Sequence, residues 1–425
     1  MKFILTLIFL FLFFYPQVCA QTADDSDSTS DSIQNSGKGI CSHGYINLGS
    51  DISGICFGNS ERHDGIRFNV VDCGVEEVNG INITFWKGNE KTLDNFRMSG
   101  ISFGLLPCVG TSQGIAFGIG AVVAKRELTG INFGGAALVS GGSLQGINFA
   151  GLACVSGKGM SGINLSGLAC VSGKEMMGIN FGGLACVSGS EMMGINAAGL
   201  ACVAGGAVTG INFGGLAFVA KDITGINFGG LATVSQGNIT GINIGGVATV
   251  AQGEITGINF GGLALVAQKD ITGINFGGFA LVSQKEITGI NFGGLALVGL
   301  KGITGINFGG LALVADEGDI TGLNFTVGKI ESHREISGIN FAGYKIEAPE
   351  ITGLNLSCIW IECKEITGFT VTPYCRATEL MTGFSIALVN YTEELDGVQI
   401  GLLNIAENNG EGLKYLPFVN AHISL

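Results

Sequence analysis

The sequence predicts an all-β repeat protein, a parallel β-solenoid of about 15–16 residues per coil, and three observations carry that prediction. Glycine supplies 73 of the 425 residues, while charged residues make up 13%, against averages of roughly 7% and ~25%. The motif TGINFGG, or a close variant, recurs with its first glycine at Gly210, Gly225, Gly241, Gly257, Gly273, Gly289 and Gly305. A fixed short period marks stacked or ring-closed units, not separate globular domains. Each unit divides into two short apolar runs parted by Gly-Gly and closed by a polar turn, as in Ile255 to Asp270, which leaves no room for a crossover helix.

Residues 1–20 read as a secretory signal. Lys2 precedes an almost unbroken apolar run from Phe3 to Tyr15, and Val18, Cys19 and Ala20 stand before Gln21. A lipid anchor on Cys19 is the alternative, although Val18 is bulkier than the residue expected there. Residues 21–40 form an acidic, Ser-rich leader with the composition of a disordered segment. Degenerate copies of the repeat fill 41–128, regular copies 129–321, and divergent copies with a closing segment 322–425. The expected location is therefore outside the cytoplasm: cell surface, outer membrane or extracellular.

Composition excludes several classes. A hydrophobic content of 46% and a mean hydropathy of +0.46 rule out a disordered polar polymer. A net charge of −13 disfavours nucleic acid as a partner, since that binding is driven by phosphate neutralisation.

The divergent copies suggest which way the side chains face. Lys329 and Glu331 flank Ile330, and Lys345 and Glu347 flank Ile346. The charges belong in water, so the isoleucines point inward. Carried back to Ile255–Asp270, this directs Leu263 and Leu265 inward and Ala264 and Val266 outward. In the first run, Ile258 and Phe260 stay apolar in nearly every copy. The Asn259 position varies as Arg67, Ser102, Thr370, Ser385 and Gln399. That contrast assigns Ile and Phe to the core and Asn to the outside or a corner. In-register stacking would turn Asn212, Asn227, Asn243, Asn259, Asn275, Asn291 and Asn307 into a hydrogen-bonded ladder. The Ala/Val stripe becomes a long exposed apolar face, which calls for a surface ligand, a membrane or a second copy as partner.

The alternative architecture is an up-and-down outer-membrane β-barrel with a transport role, in which Ala and Val would face lipid. Uniformly short connections, 2 Trp and 6 Tyr for aromatic girdles, and Gly-Gly in mid-strand count against it.

The GINFGGLALV repeats, closing with GVQIGLLNIAENN (397–409) and LPFVNAHI (416–423), resemble the bacterial surface-repeat proteins of spirochaetes and other Gram-negative bacteria. The resemblance covers roughly residues 100–425. It implies export to the cell envelope and no established activity, hence a structural or adhesive role.

Candidate chemistry is sparse. Cys154, Cys170, Cys186 and Cys202 occupy one inward position in consecutive coils. They read as core thiols filling a leucine site, and inter-coil disulfides Cys154–Cys170 and Cys186–Cys202 are the alternative. Cys41, His43, Cys56, His63 and Cys73 match no compact zinc module, so a disulfide is favoured over a metal among them, and the same holds for Cys358, Cys363 and Cys375. An acidic column just before each coil restarts includes Asp222, Glu254, Asp270 and Glu286. A bridging Ca²⁺ would relieve its repulsion, and a solvated turn with interleaved lysines is the plainer account. No cofactor is expected. His333 and His422 stand apart from any catalytic constellation, and no nucleophile elbow or phosphate loop occurs, so catalysis is not expected. A third reading, ice or carbohydrate binding, would use the Thr224, Thr240, Thr256, Thr272, Thr288 and Thr304 row beside the asparagines.

Overall fold

The computed structural model describes residues 44–89 and 93–423. The signal at 1–20, the leader at 21–40, Cys41 and His43 lie outside the described residues. Every regular element among the described residues is a β-strand. The chain forms two compact units, Met1–Gly157 and Lys158–Leu425.

Each unit is a parallel β-solenoid. In the second, Ile255–Gly261 pairs in parallel with Ile271–Gly277, Ile to Ile, Asn to Asn and Phe to Phe. Ala264–Ala267 does the same with Ala280–Ser283. The first unit repeats this geometry, as in Ala121–Gly134 against Ser143–Ala150. Parallel pairing at each step excludes the up-and-down barrel, whose neighbouring strands are antiparallel.

Both described ends close with an antiparallel strand. Tyr45–Gly49 folds back on Ser53–Gly58 in the first unit, and Tyr415–His422 folds back on Val389–Ala406 in the second. These strands take up ladder donors and acceptors that a terminal coil would otherwise present.

The glycine that marks the repeat is dictated by backbone geometry. Gly257 has φ +117°, a region that residues with a Cβ rarely adopt. A Cβ there would sit 2.1 Å from the carbonyl oxygen of Gly241 in the preceding coil. Gly241 and Gly273 on either side have φ +113° and +119°.

Strict alternation along the first strand decides the core, and it corrects the facing inferred above. Ile255, Asn259 and Gly261 point inward, whereas Thr256, Ile258 and Phe260 are exposed. Asn259 is wholly buried, while Ile258 and Phe260 are each 38% exposed. In the second strand Leu265 and Ala267 are buried and Ala264 and Val266 are half-buried on the outer side, as inferred. Leu263, placed inward above, lies instead on the Gly-Gly bend before the strand begins and is 43% exposed. Ile330, Ile346 and Ile361 are fully buried, matching their assignment.

Candidate functional site

The exterior of the second unit is the feature with the most functional content, and it consists of rows. Ile179, Ile195, Ile211 and Ile226 form one exposed row, and Phe181, Phe213 and Phe228 form another two residues on, with Ala197 in the same file. The rings of Phe260, Phe276, Phe292 and Phe308 stack with centroids 4.8, 4.5 and 4.7 Å apart and planes within 3° of parallel. A third row follows the bend, with Leu263 43%, Phe279 54% and Leu311 60% exposed. Exposed apolar patches on this scale mark contact surfaces.

The asparagines of the central coils are drawn inside. Asn212 Nδ2 donates to Asn227 Oδ1 at 2.9 Å, and Asn227, Asn243, Asn259 and Asn275 each donate to the next at 2.9 Å. The chain of donors continues from Asn291 to Asn307 at 2.8 Å. The ladder exists, but it is buried, whereas the sequence reading placed it outside or at a corner. The reason lies in hydrogen bonding: each amide finds its partner in the adjacent coil, which removes most of the desolvation penalty. Arg67, Ser102, Thr370, Ser385 and Gln399, which replace Asn in other coils, are buried too.

The two rows named for the third reading lie on different sides of the strand. Thr224, Thr240, Thr256, Thr272 and Thr304 are exposed and Thr288 half-buried, but the asparagines lie on the opposite side of the strand.

Cys154, Cys170, Cys186 and Cys202 are buried thiols. Cys170, Cys186 and Cys202 each donate to a carbonyl of the next coil, from Phe181, Ala197 and Phe213, at 3.2 Å. Thr249 fills the same column and donates to the Phe260 carbonyl at 2.9 Å. The column therefore accepts leucine, phenylalanine as at Phe218, or a small hydrogen-bond donor. Hydrogen bonds with Cys170 and Cys202, followed by burial, hold the Cys186 thiol far above its ordinary value and keep it protonated.

Cys73 is disulfide-bonded, and Cys56 is a buried thiol. His63 is buried, with Nε2 3.0 Å from the Gly54 carbonyl. For Cys358, Cys363 and Cys375 the disulfide expectation is corrected, since all three are thiols. Cys363 aligns with the inward Ala348 and Ala377, and Cys375 with the inward Ile361, so they occupy different columns, and Cys358 is exposed at the bend. Burial pushes the Cys375 thiol up to about 12.

The acidic column is engaged by the backbone. Asp222 Oδ1 accepts from the Asn238 amide and Asp270 Oδ1 from the Glu286 amide, and the Glu254 amide donates to Asn238 Oδ1. Among the described residues no three His, Cys, Asp or Glu side chains converge in a metal-binding arrangement. His333 contacts Asp316 at 3.0 Å and His422 contacts Asn409 at 2.7 Å.

Three features escaped the sequence reading. Arg67 is fully buried, ion-paired to Asp72 and hydrogen-bonded to Asn82 at 2.9 Å and Asn59 at 3.0 Å. Its signal was present: Arg67 falls in the asparagine column, where a cation needs a buried partner. On the outer side of the second strand, Lys345 bridges Glu347 at 2.9 Å and Glu362 at 2.8 Å and lies 4.7 Å from the Trp360 ring. Hydrogen bonds to those carboxylates raise the Lys345 pKa despite the opposing effect of burial. The third is an open cavity of about 800 Å³ near the C-terminal strand, lined by Val371, Ile386, Leu388, Ile400, Leu402 and Phe418. Phe418 in its lining has φ +68°, which no periodicity reveals.

No family model, curated protein or solved structure matches this chain.

Proposed function

We propose that this chain is an exported repeat protein of the cell envelope or cell surface with a structural or adhesive role, and that its apolar exterior is the working surface. The observation that carries the reading is the set of exposed Ile, Phe and Leu rows repeated coil after coil in the second unit. A soluble protein with no use for such rows would carry polar residues there, as the outer side of the second strand does at Lys329, Glu331, Lys345 and Glu347. Export draws its support from the apolar N-terminal segment and the resemblance to bacterial surface-repeat proteins. In this reading the chain is not an enzyme: its inward columns are committed to coil-to-coil bonding, and its outward Ile, Phe and Leu rows are apolar.

Cell fractionation with protease shaving tests the reading. The chain, expressed with a C-terminal tag in a Gram-negative host, is expected to lose its first twenty residues, leave the cytoplasm and become sensitive to protease added to intact cells. Retention of the full-length chain in the cytoplasm would refute export.

A further inference from the structure

We infer that the Ile/Phe face of the second unit is an interface for a second copy of this chain. The inference rests on the proposal that the apolar exterior is the working surface, and it names the partner.

Area comes first. In the second unit Phe181, Phe213, Phe260 and Phe325 are 38–49% exposed, and Ile179, Ile211 and Ile258 fall in the same range. With about 200 Å² for a whole phenylalanine side chain, each ring leaves roughly 80 Å² in water, and each coil about 150 Å² from its Ile and Phe together. Six coils then supply the ~800 Å² per partner of a standard interface. The second unit has more than twice that number, from Met160–Ser166 to Val389–Ala406.

Charge selects between the faces. From Ile163 to Phe384 the Ile and Phe positions carry no charged residue. The outer side of the second strand is half-buried Ala and Val in the regular coils and carries Lys329, Glu331, Lys345, Glu347, Glu362 and Arg376 in the divergent ones. A copy docking there would have to desolvate ion pairs, which is costly. On the Ile/Phe face it desolvates none.

Geometry selects the partner. From Phe260 to Phe308 the rings stack face to face at 4.5–4.8 Å as an evenly spaced comb, and the partner that meets every tooth must have the same repeat. A second copy has it by construction, and a two-fold axis makes the contact self-complementary and closed. A lipid surface is favoured less, because an interfacial anchor draws on a basic rim. This face is bordered by the threonine row, and the whole chain carries −13.

The test is sedimentation equilibrium of residues 21–425 without detergent, for the wild type and for Phe260→Lys/Phe276→Lys/Phe292→Lys. The substituted side chains project outward, and circular dichroism checks that the variant folds. Val266→Glu/Val282→Glu on the other face is the control, since Glu331 occupies the equivalent position naturally. We expect a micromolar or tighter wild-type dimer, association at least 100-fold weaker in the lysine variant, and no change in the control. A monomeric wild type at 50 μM, or a lysine variant that associates like wild type, overturns the inference. If that monomer floats with phosphatidylcholine vesicles through the same phenylalanines, the working-surface reading survives with a different partner. If it neither associates nor floats, both fail. Should the triple variant not fold, Ile258→Lys/Ile274→Lys reads the same face.

Discussion

Asn259 shows how one side chain can hold a coil in register. Its amide accepts from Asn243 and donates to Asn275, both at 2.9 Å, in a site closed to water. Slipping one residue along the strand would bury Ile258 or Phe260 against that file of amides and strand the amide itself, so the column enforces alignment as well as adding stability. Asn275→Asp tests this. An ionised carboxylate cannot donate to Asn291 and loses its hydration, so its pKa in the folded state rises above the ordinary ~3.9. The protonated acid can replace the amide as donor and acceptor. Stability relative to wild type is therefore expected to be nearly intact below pH ~4 and to fall by about 2–4 kcal/mol as the pH rises through the carboxyl's elevated pKa. Urea melts at pH 4 and pH 7 measure it, and an equal deficit at both would refute the account. The sequence groups the positions of this strand by face without fixing which group points inward. Ile255, Gly257 and Asn259 share one parity and Thr256, Ile258 and Phe260 the other, and most replacements in the Asn column are polar, Cys56 and Ala116 excepted. Constancy of Ile and Phe suggested a core, yet in a stack a constant residue can equally reflect an outer row that must match its neighbours.

At the scale of the element, a coil is not a stable object. Its buried Ile255 and Leu265 contribute ~1.5–3 kcal/mol each, while ordering the backbone costs ~1–2 kcal/mol per residue, so support has to come from the coils above and below. Removing one whole period, Ile255 to Asp270, joins chemically equivalent residues and restores every column. The shortened chain is expected to fold with the same circular dichroism per residue and a smaller urea m-value. Removing eight residues shifts every inward side chain of the cut coil out of its column, and that chain is expected to lose cooperative unfolding. If both deletions melt alike, register is not what holds the stack. Two apolar runs per coil were legible from the motif; the exposure of Leu263 was not, because it depends on where the Gly-Gly bend ends and the Ala264–Ala267 strand begins.

For the molecule as a whole, the balance lies between apolar contact and charge. A chain of net −13 repels its own copies, while the Ile/Phe face attracts them. Salt screens the first and leaves the second almost unaffected, the Debye length falling from ~30 Å at 0.01 M to ~3 Å at 1 M. Self-association is thus expected to strengthen between 0.02 and 0.5 M NaCl by about an order of magnitude. Weakening with salt, followed by light scattering, would show that ion pairs and not the apolar rows hold the copies together.

The period, the all-β content, the asparagine ladder, the cysteine column and the two-strand coil were determined by the sequence alone, because each is a local or repeated property that stacking merely copies. Three matters were decided only by the tertiary structure. Parallel pairing follows from placing each coil on its predecessor, which a linear motif shares with a barrel strand. The exchange of inside and outside in the first strand follows from amides satisfying one another across coils, at a distance of sixteen residues along the chain. The C-terminal cavity follows from Tyr415–His422 folding back on Val389–Ala406. All three are relations between residues far apart in sequence, and their free energy exists only once the neighbouring coil is in place.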